Sequence, residues 1–331
     1  MMQATPAQPS RRLLEATGLL GAGAENGGDR AFRLVVTALA VGLIVLLVLL
    51  ADSLVSAAAP SMSRFGLPFL WGLEWDPVAQ RFGALPAIYG TLATSALALL
   101  VAGPVGIGAA IFLAELAPAW LERPMSFLIE LLAAVPSVVV GLWGLFVLVP
   151  ALRGVEIGLR GVLGAPPLLS GPPIGLGLLA AGVLLAVMIL PILTAITRDV
   201  LRAVPVAQRE AMLALGATRW EMITRAVLPF GRTGILGGVI LALGRALGET
   251  MAVTMVAGNR YDITPSLYAP LTSIASLIAG QFAEADSGLY VSALLEVGLV
   301  LMVITLIVNI LARLLVWKVS AGERVGVSGG G

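Results

Sequence analysis

The sequence has 331 residues, of which 59% are hydrophobic and 12% are charged, with a net charge of +1 and a mean hydropathy of +1.01. A soluble globular domain carries about 25% charged residues, so this composition indicates an integral membrane protein. The chain contains no Cys and no His, which excludes disulfides, thiol chemistry, imidazole proton relays and the usual zinc sites. The net charge of +1 by itself says nothing about nucleic acid, because the arginines are dispersed by the topology of the chain; no nucleic-acid partner is expected.

Six apolar segments follow a short polar N-terminus, and each is long enough to cross about 30 Å of hydrocarbon as a helix. We place them at residues 31–58, 85–116, 125–149, 174–197, 228–257 and 289–317, with a Gly-Pro-rich interruption of the second at 103–108. The predicted organisation has four parts: a disordered cytoplasmic tail (1–30), the first helix with an outer loop (31–84), a core of five helices (85–317) and a cytoplasmic tail (318–331).

The distribution of Lys and Arg predicts the orientation of these segments. With both termini in the cytoplasm, fourteen of the twenty Lys and Arg residues fall on the inner side, five fall on the outer side, and Arg245 lies inside the fifth segment. Positive charges concentrate in cytoplasmic loops, so the N- and C-termini are both predicted to be cytoplasmic. The outer loops at 60–84, 151–173 and 258–288 are then available to an extracytoplasmic partner.

The charged loop between the fourth and fifth segments, residues 202–229, predicts a helical hairpin. Pro205 favours a helix start, and Gly216 is placed to end that helix in a left-handed conformation. Thr218 and Glu221 have the spacing of a capping box, which starts a second helix. The sequence therefore predicts a helix, a glycine turn and a helix on the cytoplasmic side.

This loop also contains a spaced motif: Glu210, Ala211, Met212, Gly216, Leu228 and Pro229. The spacing resembles the EAA loop of ABC-importer permeases, although Met212 and Ala226 depart from its Ala and Ile. The resemblance implies a coupling helix that docks in a groove of a separate ATPase subunit. The residues assigned to coupling on this basis are Glu210, Ala211, Gly216, Leu228 and Pro229. The alternative is a solvated hairpin that only joins two spans.

Arg245 and Glu249 are charged residues near the middle of the fifth apolar segment. A charge at this depth costs at least about 2.5–3.5 kcal/mol, so we expect it to face protein or a water-filled path. Their separation of four residues puts both side chains on one face of a helix. An entering oxyanion can compete with Glu249 for the planar guanidinium of Arg245. The alternative is a permanent bridge that locks the helices together.

The sequence around this pair, from Leu243 to Val253 and then Gly258-Asn259, resembles the PstC-type permeases of phosphate-specific ABC importers. The likeness covers most of residues 85–317. It implies an all-α membrane protein with six transmembrane helices in the type I ABC importer (MetI-like) fold, in the bacterial cytoplasmic membrane. In that family, the residues that match Arg245 and Glu249 are held to be important for phosphate passage, which makes these two the predicted substrate path.

The same resemblance implies the partners of the chain. They are a PstA-type sister permease, a dimer of PstB-type ATP-binding subunits, a PstS-type phosphate-binding protein on the outer side, and phosphate itself. The chain has no Walker A motif, so it is not expected to hydrolyse ATP by itself. No cofactor and no metal are expected.

Other functions remain open at this point. Within the same class, the alternatives are the sister permease and a permease for another oxyanion. An ion-coupled secondary carrier is less consistent with the sequence, because it needs no docking helix. An intramembrane enzyme lacks a catalytic constellation. Two further polar residues of the sixth segment are expected to be structural: Glu296 snorkels or bonds within the bundle, and Asn309 makes an interhelical hydrogen bond.

Overall fold

The computed structural model describes residues 27–164 and 166–327. Two compact units divide after Ser53. Most of the predicted N-terminal tail lies outside the described residues, as do residues 328–331 of the predicted C-terminal tail. Residues 27–30 and 318–327 are helical.

The described residues form twelve α-helices and one small β-hairpin. The helices are α1 (Gly27–Phe65), α2 (Leu85–Ile111), α3 (Ala119–Ala133), α4 (Ser137–Trp143), α5 (Val149–Leu163), α6 (Leu178–Arg202), α7 (Val206–Ala214), α8 (Arg219–Met222), α9 (Leu228–Leu247), α10 (Met251–Val256), α11 (Ile274–Gln281) and α12 (Gly288–Val327). Short π-helical segments follow α2, α4 and α8 at Phe112–Leu116, Gly144–Leu148 and Ile223–Val227. Strands β1 (Trp75–Asp76) and β2 (Arg81–Phe82) pair antiparallel, with Trp75 opposite Phe82.

Six helical stretches of the described chain are long and apolar enough to cross a membrane, as predicted. They are Arg30–Phe65, Leu85–Leu116, Ser137–Leu163, Leu178–Arg202, Arg219–Leu247 and Gly288–Lys318. The predicted interruption of the second span at 103–108 is wrong, because α2 continues through Pro104. Neighbouring helices and local adjustments satisfy the backbone groups that a proline frees in a membrane helix.

The third predicted span, 125–149, is wrong in position. The chain is helical up to Ala133, breaks at residues 134–136, and forms its third membrane-spanning stretch at Ser137–Leu163. Pro136 has no backbone N–H and disfavours a helical conformation in the residue before it, so it ends α3. Hydropathy does not reveal this break because the residues on both sides are apolar. Consequently, the first half of the predicted outer loop at 151–173 is helical.

The core of the second unit is built around α6, which packs against α2, α9 and α10. Leu184, Ile189 and Leu193 of α6 are fully buried, and the facing side chains of α2 include the small residues Ala98 and Ala102. Small residues let helix backbones approach closely, which is the main source of packing energy when the surrounding solvent is lipid.

A second cluster of buried side chains fixes the β-hairpin beside the start of α12. The ring of Phe82 stacks on Tyr290 with centroids 5.5 Å apart, and Trp75 meets Phe82 edge-on at 4.9 Å. The loops at this end also bond to each other: the N–H of Leu267 donates to the carbonyl of Leu168 (2.9 Å), and that of Gly177 donates to Val256 (3.0 Å). The loop backbone is therefore held by hydrogen bonds rather than left free.

Candidate functional site

The fifth predicted span is broken close to its charged pair. Helix α9 ends at Leu247 and α10 begins at Met251, so residues 248–250 are not helical, and the prediction of one continuous helix over 228–257 is wrong. Glycine is a poor helix former, which favours a break at Gly248. Non-helical backbone within a membrane protein is tolerated where protein buries it or where it lines a water-filled cavity. Breaks of this kind are typical of transport sites.

Arg245 lies in the last turn of α9, and Glu249 lies within the break itself. The prediction that they come together is confirmed, but they meet across the end of α9 rather than along one helix. Arg245 Nη2 lies 3.9 Å from Glu249 Oε2, and the two side chains are 42% and 6% exposed. This distance is too long for a hydrogen bond. The last turn of α9 favours a cation and the first turn of α10 favours an anion, so the helix ends stabilise both charges without a tight bridge.

The depth of Arg245 follows from its neighbours. Arg245 lines one cavity with Met188 and a second with Ile192, which are the eleventh and fifteenth of the 25 residues of α6. The guanidinium is therefore about midway along a helix long enough to span the hydrocarbon. A half-exposed charge at that depth needs a water-filled path or another protein chain beside it.

The two cavities differ in character. The first has a volume of about 310 Å³ and is apolar apart from Arg245; its other lining residues are Leu132, Ala133, Val135, Val139, Val140, Trp143, Val187 and Met188. The second has a volume of about 830 Å³ and is lined in part by Thr305, Asn309 and Arg313 of α12. Ile192, Ile240, Leu241 and Val316 form the apolar part of this second lining. Arg245 therefore lies between an apolar pocket and a cavity that offers polar side chains from α12 along one wall.

Close packing of α10 against α4 holds the broken segment in place. Gly141 of α4 is so near that an added Cβ would lie 3.0 Å from the Cα of Ala252 and 2.7 Å from the Met255 sulfur. A Cβ at position 141 would therefore require the Met255 side chain to move and the backbone at Ala252 to give way slightly. Glu249 Oε1 also accepts a hydrogen bond from the N–H of Ala252 (3.4 Å), so the carboxylate is oriented by α10 rather than by Arg245.

The predicted hairpin is confirmed in detail. Gly216 has a φ of +83°, its N–H donates to Leu213 (3.0 Å), and the N–H of Ala217 donates to Met212 (3.1 Å). These two bonds form a Schellman motif, which satisfies the carbonyls at the end of α7. The N–H of Thr218 donates to Glu221 Oε2 (2.9 Å) and the N–H of Glu221 to Thr218 Oγ1 (3.3 Å), which completes the capping box.

The motif residues of the hairpin divide between its surface and its base. Glu210, Ala211 and Gly216 are exposed, as is Pro229 in the first turn of α9, whereas Leu228 is half-buried. Met212, which departs from the EAA pattern, packs with Leu228 against a buried apolar cluster beneath the hairpin. A larger side chain than Ala is accommodated there because it points into the protein.

Four large apolar side chains of the hairpin are exposed, the first being Val206 at the start of α7 (63% exposed). Leu213, Leu215 and Trp220 are 45%, 83% and 61% exposed. Exposed apolar groups on a short, well-capped hairpin are typical of a surface that another protein covers.

A buried ion pair at the base of the hairpin was not predicted. Arg209 Nη2 lies 2.8 Å from Glu115 Oε1, and the side chains are 17% and 5% exposed. The same guanidinium donates to the carbonyls of Leu201 (2.7 Å) and Val204. Ninety-four residues separate the two partners, so no local pattern connects them. The sequence offered one indication of this pair: Glu115 is an isolated acidic residue near the end of the second apolar segment.

Two secondary predictions for α12 have different outcomes. Glu296 is 6% exposed and is therefore enclosed by the bundle rather than extended to the interface. Asn309 donates to the carbonyl of Thr305 in its own helix (2.9 Å). The predicted interhelical bond is absent among the described residues, because the helix itself offers an acceptor one turn away.

Solved transporter structures share this fold. The chain matches the structure "Inward facing conformations of the MetNI methionine ABC transporter" with a TM-score of 0.53 and 17% identity, covering 77% of this chain and 99% of that one. It matches a bacterial ABC transporter involved in the import of the acidic polysaccharide alginate with a TM-score of 0.56 and 19% identity, covering 88% and 98%. The predicted type I, MetI-like fold is therefore confirmed.

Sequence relatives are much closer. A phosphate transport system permease protein PstC of Mesorhizobium japonicum is 47% identical over 298 residues, which are 88% of this chain and 91% of the relative. The PstC of Pasteurella multocida is 47% identical over 88% and 92%, and PstC 1 of Mycobacterium tuberculosis is 41% identical over 77% and 83%. Residues 106–321 match the family profile "Binding-protein-dependent transport system inner membrane component". The chain is thus a multi-pass membrane protein that belongs to this family and, within it, to the PstC-type permeases.

Proposed function

We propose that this chain is the transmembrane permease subunit of an ATP-driven importer of inorganic phosphate, in the bacterial cytoplasmic membrane with both termini inside. The observation that carries the proposal is the half-exposed guanidinium of Arg245 about midway along the bundle, in a chain 47% identical to phosphate transport permeases. Transport, not catalysis, is then the role of the chain itself, and ATP is hydrolysed by a separate subunit.

Arg245 and Glu249 are the proposed substrate path. The planar guanidinium matches the geometry of a phosphate oxyanion and offers several donors to it. Glu249 lies 3.9 Å from Arg245 and offsets its charge while the path is empty. When phosphate enters, Arg245 can turn to it without losing a hydrogen bond to Glu249. A phosphate that enters therefore displaces a weak contact, which favours passage over tight retention.

The exposed hairpin is the proposed coupling element, with Glu210, Ala211, Gly216, Leu228 and Pro229 as its motif residues. Its apolar side chains Leu215 and Trp220 are exposed, and a short helix in a groove can transmit rigid-body motion through such a contact. The capping box and the Schellman motif make the hairpin rigid enough for that purpose.

The chain forms half of the path in this proposal. The exposed side of Arg245 is closed by a PstA-type sister permease, and a dimer of PstB-type ATP-binding subunits docks on the hairpins. A PstS-type phosphate-binding protein delivers the substrate from outside. The alginate transporter structure that contains a pentasaccharide-bound periplasmic protein supports an arrangement of this kind. Residues 31–84 are the first helix and outer loop, and residues 85–317 are the permease core.

Reconstitution tests the proposed function. Proteoliposomes that contain this chain, its sister permease and the ATPase subunits should take up radiolabelled phosphate when ATP and phosphate-loaded binding protein are supplied. Uptake should be absent for this chain alone, and an excess of sulfate should not compete. ATP-dependent uptake by the chain alone would contradict the proposal, and equal uptake of sulfate would make it a permease for another oxyanion.

A charge on the hairpin tests coupling separately. Ala211→Glu places a carboxylate on the exposed surface, and we expect about tenfold weaker association with the ATPase subunit, the cost of about 1.4 kcal/mol at an interface. The matched control is Ala119→Glu, the same change at an exposed alanine on the same predicted side of the membrane. Equal association of both variants, measured by co-purification, would show that the hairpin is not the docking surface.

A further inference from the structure

The cavity of about 830 Å³ beside Arg245 forms a polar crevice along α12. On its α12 side it is lined by Thr305, Asn309 and Arg313, which recur every four residues and therefore form one stripe on the helix. Arg245 lines it on the α9 side together with Gly237, Ile240, Leu241 and Gly244, Ile192 lines it on the α6 side, and Val316 lies beyond Arg313 on α12. Its polar side chains are thus those of Arg245 and the α12 stripe. We refer to this cavity as the polar crevice.

The polar crevice extends well beyond the pair at the helix break. Eight residues separate Thr305 from Arg313 in α12, and eight separate Gly237 from Arg245 in α9. At 1.5 Å per residue, both sets span about 12 Å. The crevice is therefore a path with a guanidinium from each of two helices, rather than an enlargement of the site at Arg245.

The electrostatic character of the polar crevice is positive. None of the described residues that line it is acidic, and Arg313 has no carboxylate within ion-pair distance in the described part of the chain. Asn309 uses one donor on the carbonyl of Thr305, and an amide nitrogen has two N–H groups, so one N–H remains for a ligand. Clefts of a single charge sign raise the local concentration of counter-ions.

We propose that the polar crevice is a second anion-binding station, where Arg313 and Asn309 receive a tetrahedral oxyanion after it leaves Arg245. The ligand class is inorganic phosphate, and the inference rests on the proposed function. Arg245 carries Glu249 beside it, whereas Arg313 has no such carboxylate. The anion therefore moves toward the more positive end of the crevice, which lies on the predicted cytoplasmic side. This polarity gives the path a direction of exit.

The absence of cysteine from the chain allows a direct test of this station. In the reconstituted complex, Thr305→Cys places one thiol in the polar crevice, and its rates of reaction with an anionic and a cationic methanethiosulfonate reagent are compared by mass analysis of this chain. We expect the anionic reagent to be favoured and phosphate to slow it. Adding Arg313→Gln should lower the anionic-to-cationic rate ratio about tenfold.

The matched control is Lys318→Gln, which removes a positive charge five residues further along α12, outside the lining of the polar crevice. It should leave the ratio unchanged. If Arg313→Gln also leaves the ratio unchanged, Arg313 is only an anchor at the membrane surface and the station does not exist. The readout reports local charge, so a merely structural role of Arg313 would not move it.

Transport provides the second arm of the test. Arg313→Gln should lower the maximal rate of phosphate uptake about five- to tenfold, with normal assembly, while Lys318→Gln transports normally. Asn309→Asp adds a carboxylate of nearly the same volume and should slow uptake similarly, which keeps the test usable if Arg313→Gln does not assemble. If Arg313→Gln and Asn309→Asp both take up phosphate at the wild-type rate, the second station is overturned and the proposed function is unaffected. A wild-type complex without phosphate uptake would overturn the proposed function instead.

Discussion

Two arginine–glutamate pairs in this protein differ in distance and in exposure to solvent. Arg209 and Glu115 are in contact at 2.8 Å, both are largely buried, and the guanidinium also donates to the carbonyls of Leu201 and Val204. Arg245 and Glu249 are 3.9 Å apart, and the arginine is 42% exposed. The first pair joins parts of the chain 94 residues apart, whereas the second is formed by residues four positions apart at the end of a helix.

The difference indicates what each pair does. A buried charge is tolerated when its donors and acceptors are satisfied. The bonds from Arg209 to Glu115, Leu201 and Val204 meet that condition. The guanidinium of Arg245 makes no close hydrogen bond to Glu249 and borders two cavities, so its donors remain available to a group that arrives. The tight pair therefore holds the hairpin in position, and the loose pair is available to a substrate. The predictions below test this distinction, from the largest expected effect on transport to the smallest.

The largest effect is expected at the loose pair. Arg245→Gln removes the cation at the middle of the path and should lower phosphate uptake about 100-fold, the order of magnitude for losing one partner of a desolvated charge contact. Assembly of the complex should be unaffected. Glu249→Gln leaves Arg245 charged and without its counter-ion, so phosphate should enter but leave slowly. Uptake and co-purification are measured for both variants in the reconstituted complex.

A double variant separates a path from a bridge at this pair. If the pair is only a structural bridge, Arg245→Gln combined with Glu249→Gln removes both charges and should assemble and transport better than either single variant. If Arg245 receives the anion, the double variant stays inactive. Full recovery of uptake would contradict the assignment of Arg245 and Glu249 to the substrate path.

At the tight pair we expect the opposite pattern. Arg209→Gln leaves Glu115 buried without its partner and should destabilise the protein by about 3 kcal/mol, which is typical of breaking a buried ion pair. The Tm of thermal unfolding should fall, and association with the ATPase subunit should weaken. Complexes that do assemble should transport phosphate at a rate within a few-fold of normal, because Arg209 is far from the path.

Exchange of the charges checks that the pair itself is responsible. Arg209→Glu combined with Glu115→Arg should recover part of the stability lost by each single change, since contacting residues couple by about 0.5–3 kcal/mol. Recovery should be incomplete because the carbonyls of Leu201 and Val204 lose their donor. Strict additivity of the two single effects would show that the residues do not act as a pair.

Local patterns in the sequence predicted the hairpin well. Thr218, Glu221 and Gly216 act through hydrogen bonds to residues three to five positions away, and such bonds are encoded in short spacings. The six apolar segments were predictable for the same reason, since length and hydropathy are local properties. The closeness of Arg245 and Glu249 was also predictable from their separation of four residues, although the helix break between them was not.

Features that depend on several helices were not predictable from one sequence. The breaks at 134–136 and 248–250 lie within apolar runs, and they are stabilised by packing of α4 against α10, where Gly141 permits close approach. The pair formed by Arg209 and Glu115 and the polar crevice each require the positions of distant helices. Periodicity carries no information about such distances, so these features emerged only from the structure.

The smallest effect is expected at a third pair, between Arg202 at the end of α6 and Glu122 in α3. The hydrogen bond from Arg202 is the main reason why the pKa of Glu122 is lowered from its usual value. Because the folded state binds this proton less readily than the unfolded state, the stabilisation is fully present above the unfolded pKa of about 4.3. It is lost as the pH falls through the lower pKa of the folded protein.

Glu122→Gln tests this pH dependence. At pH 7 the variant should unfold at a slightly lower temperature than wild type, by less than the fall expected for Arg209→Gln, since Arg202 is partly exposed to solvent and such pairs contribute little. The difference in Tm between wild type and variant should shrink as the pH is lowered from 5 toward the folded pKa. Glu74→Gln, which breaks the exposed pair with Arg81, is the control and should change Tm at no pH. If the difference in Tm grows on acidification, Glu122 is protonated more readily in the folded protein than in the unfolded one. Arg202 then does not stabilise the charged form of Glu122.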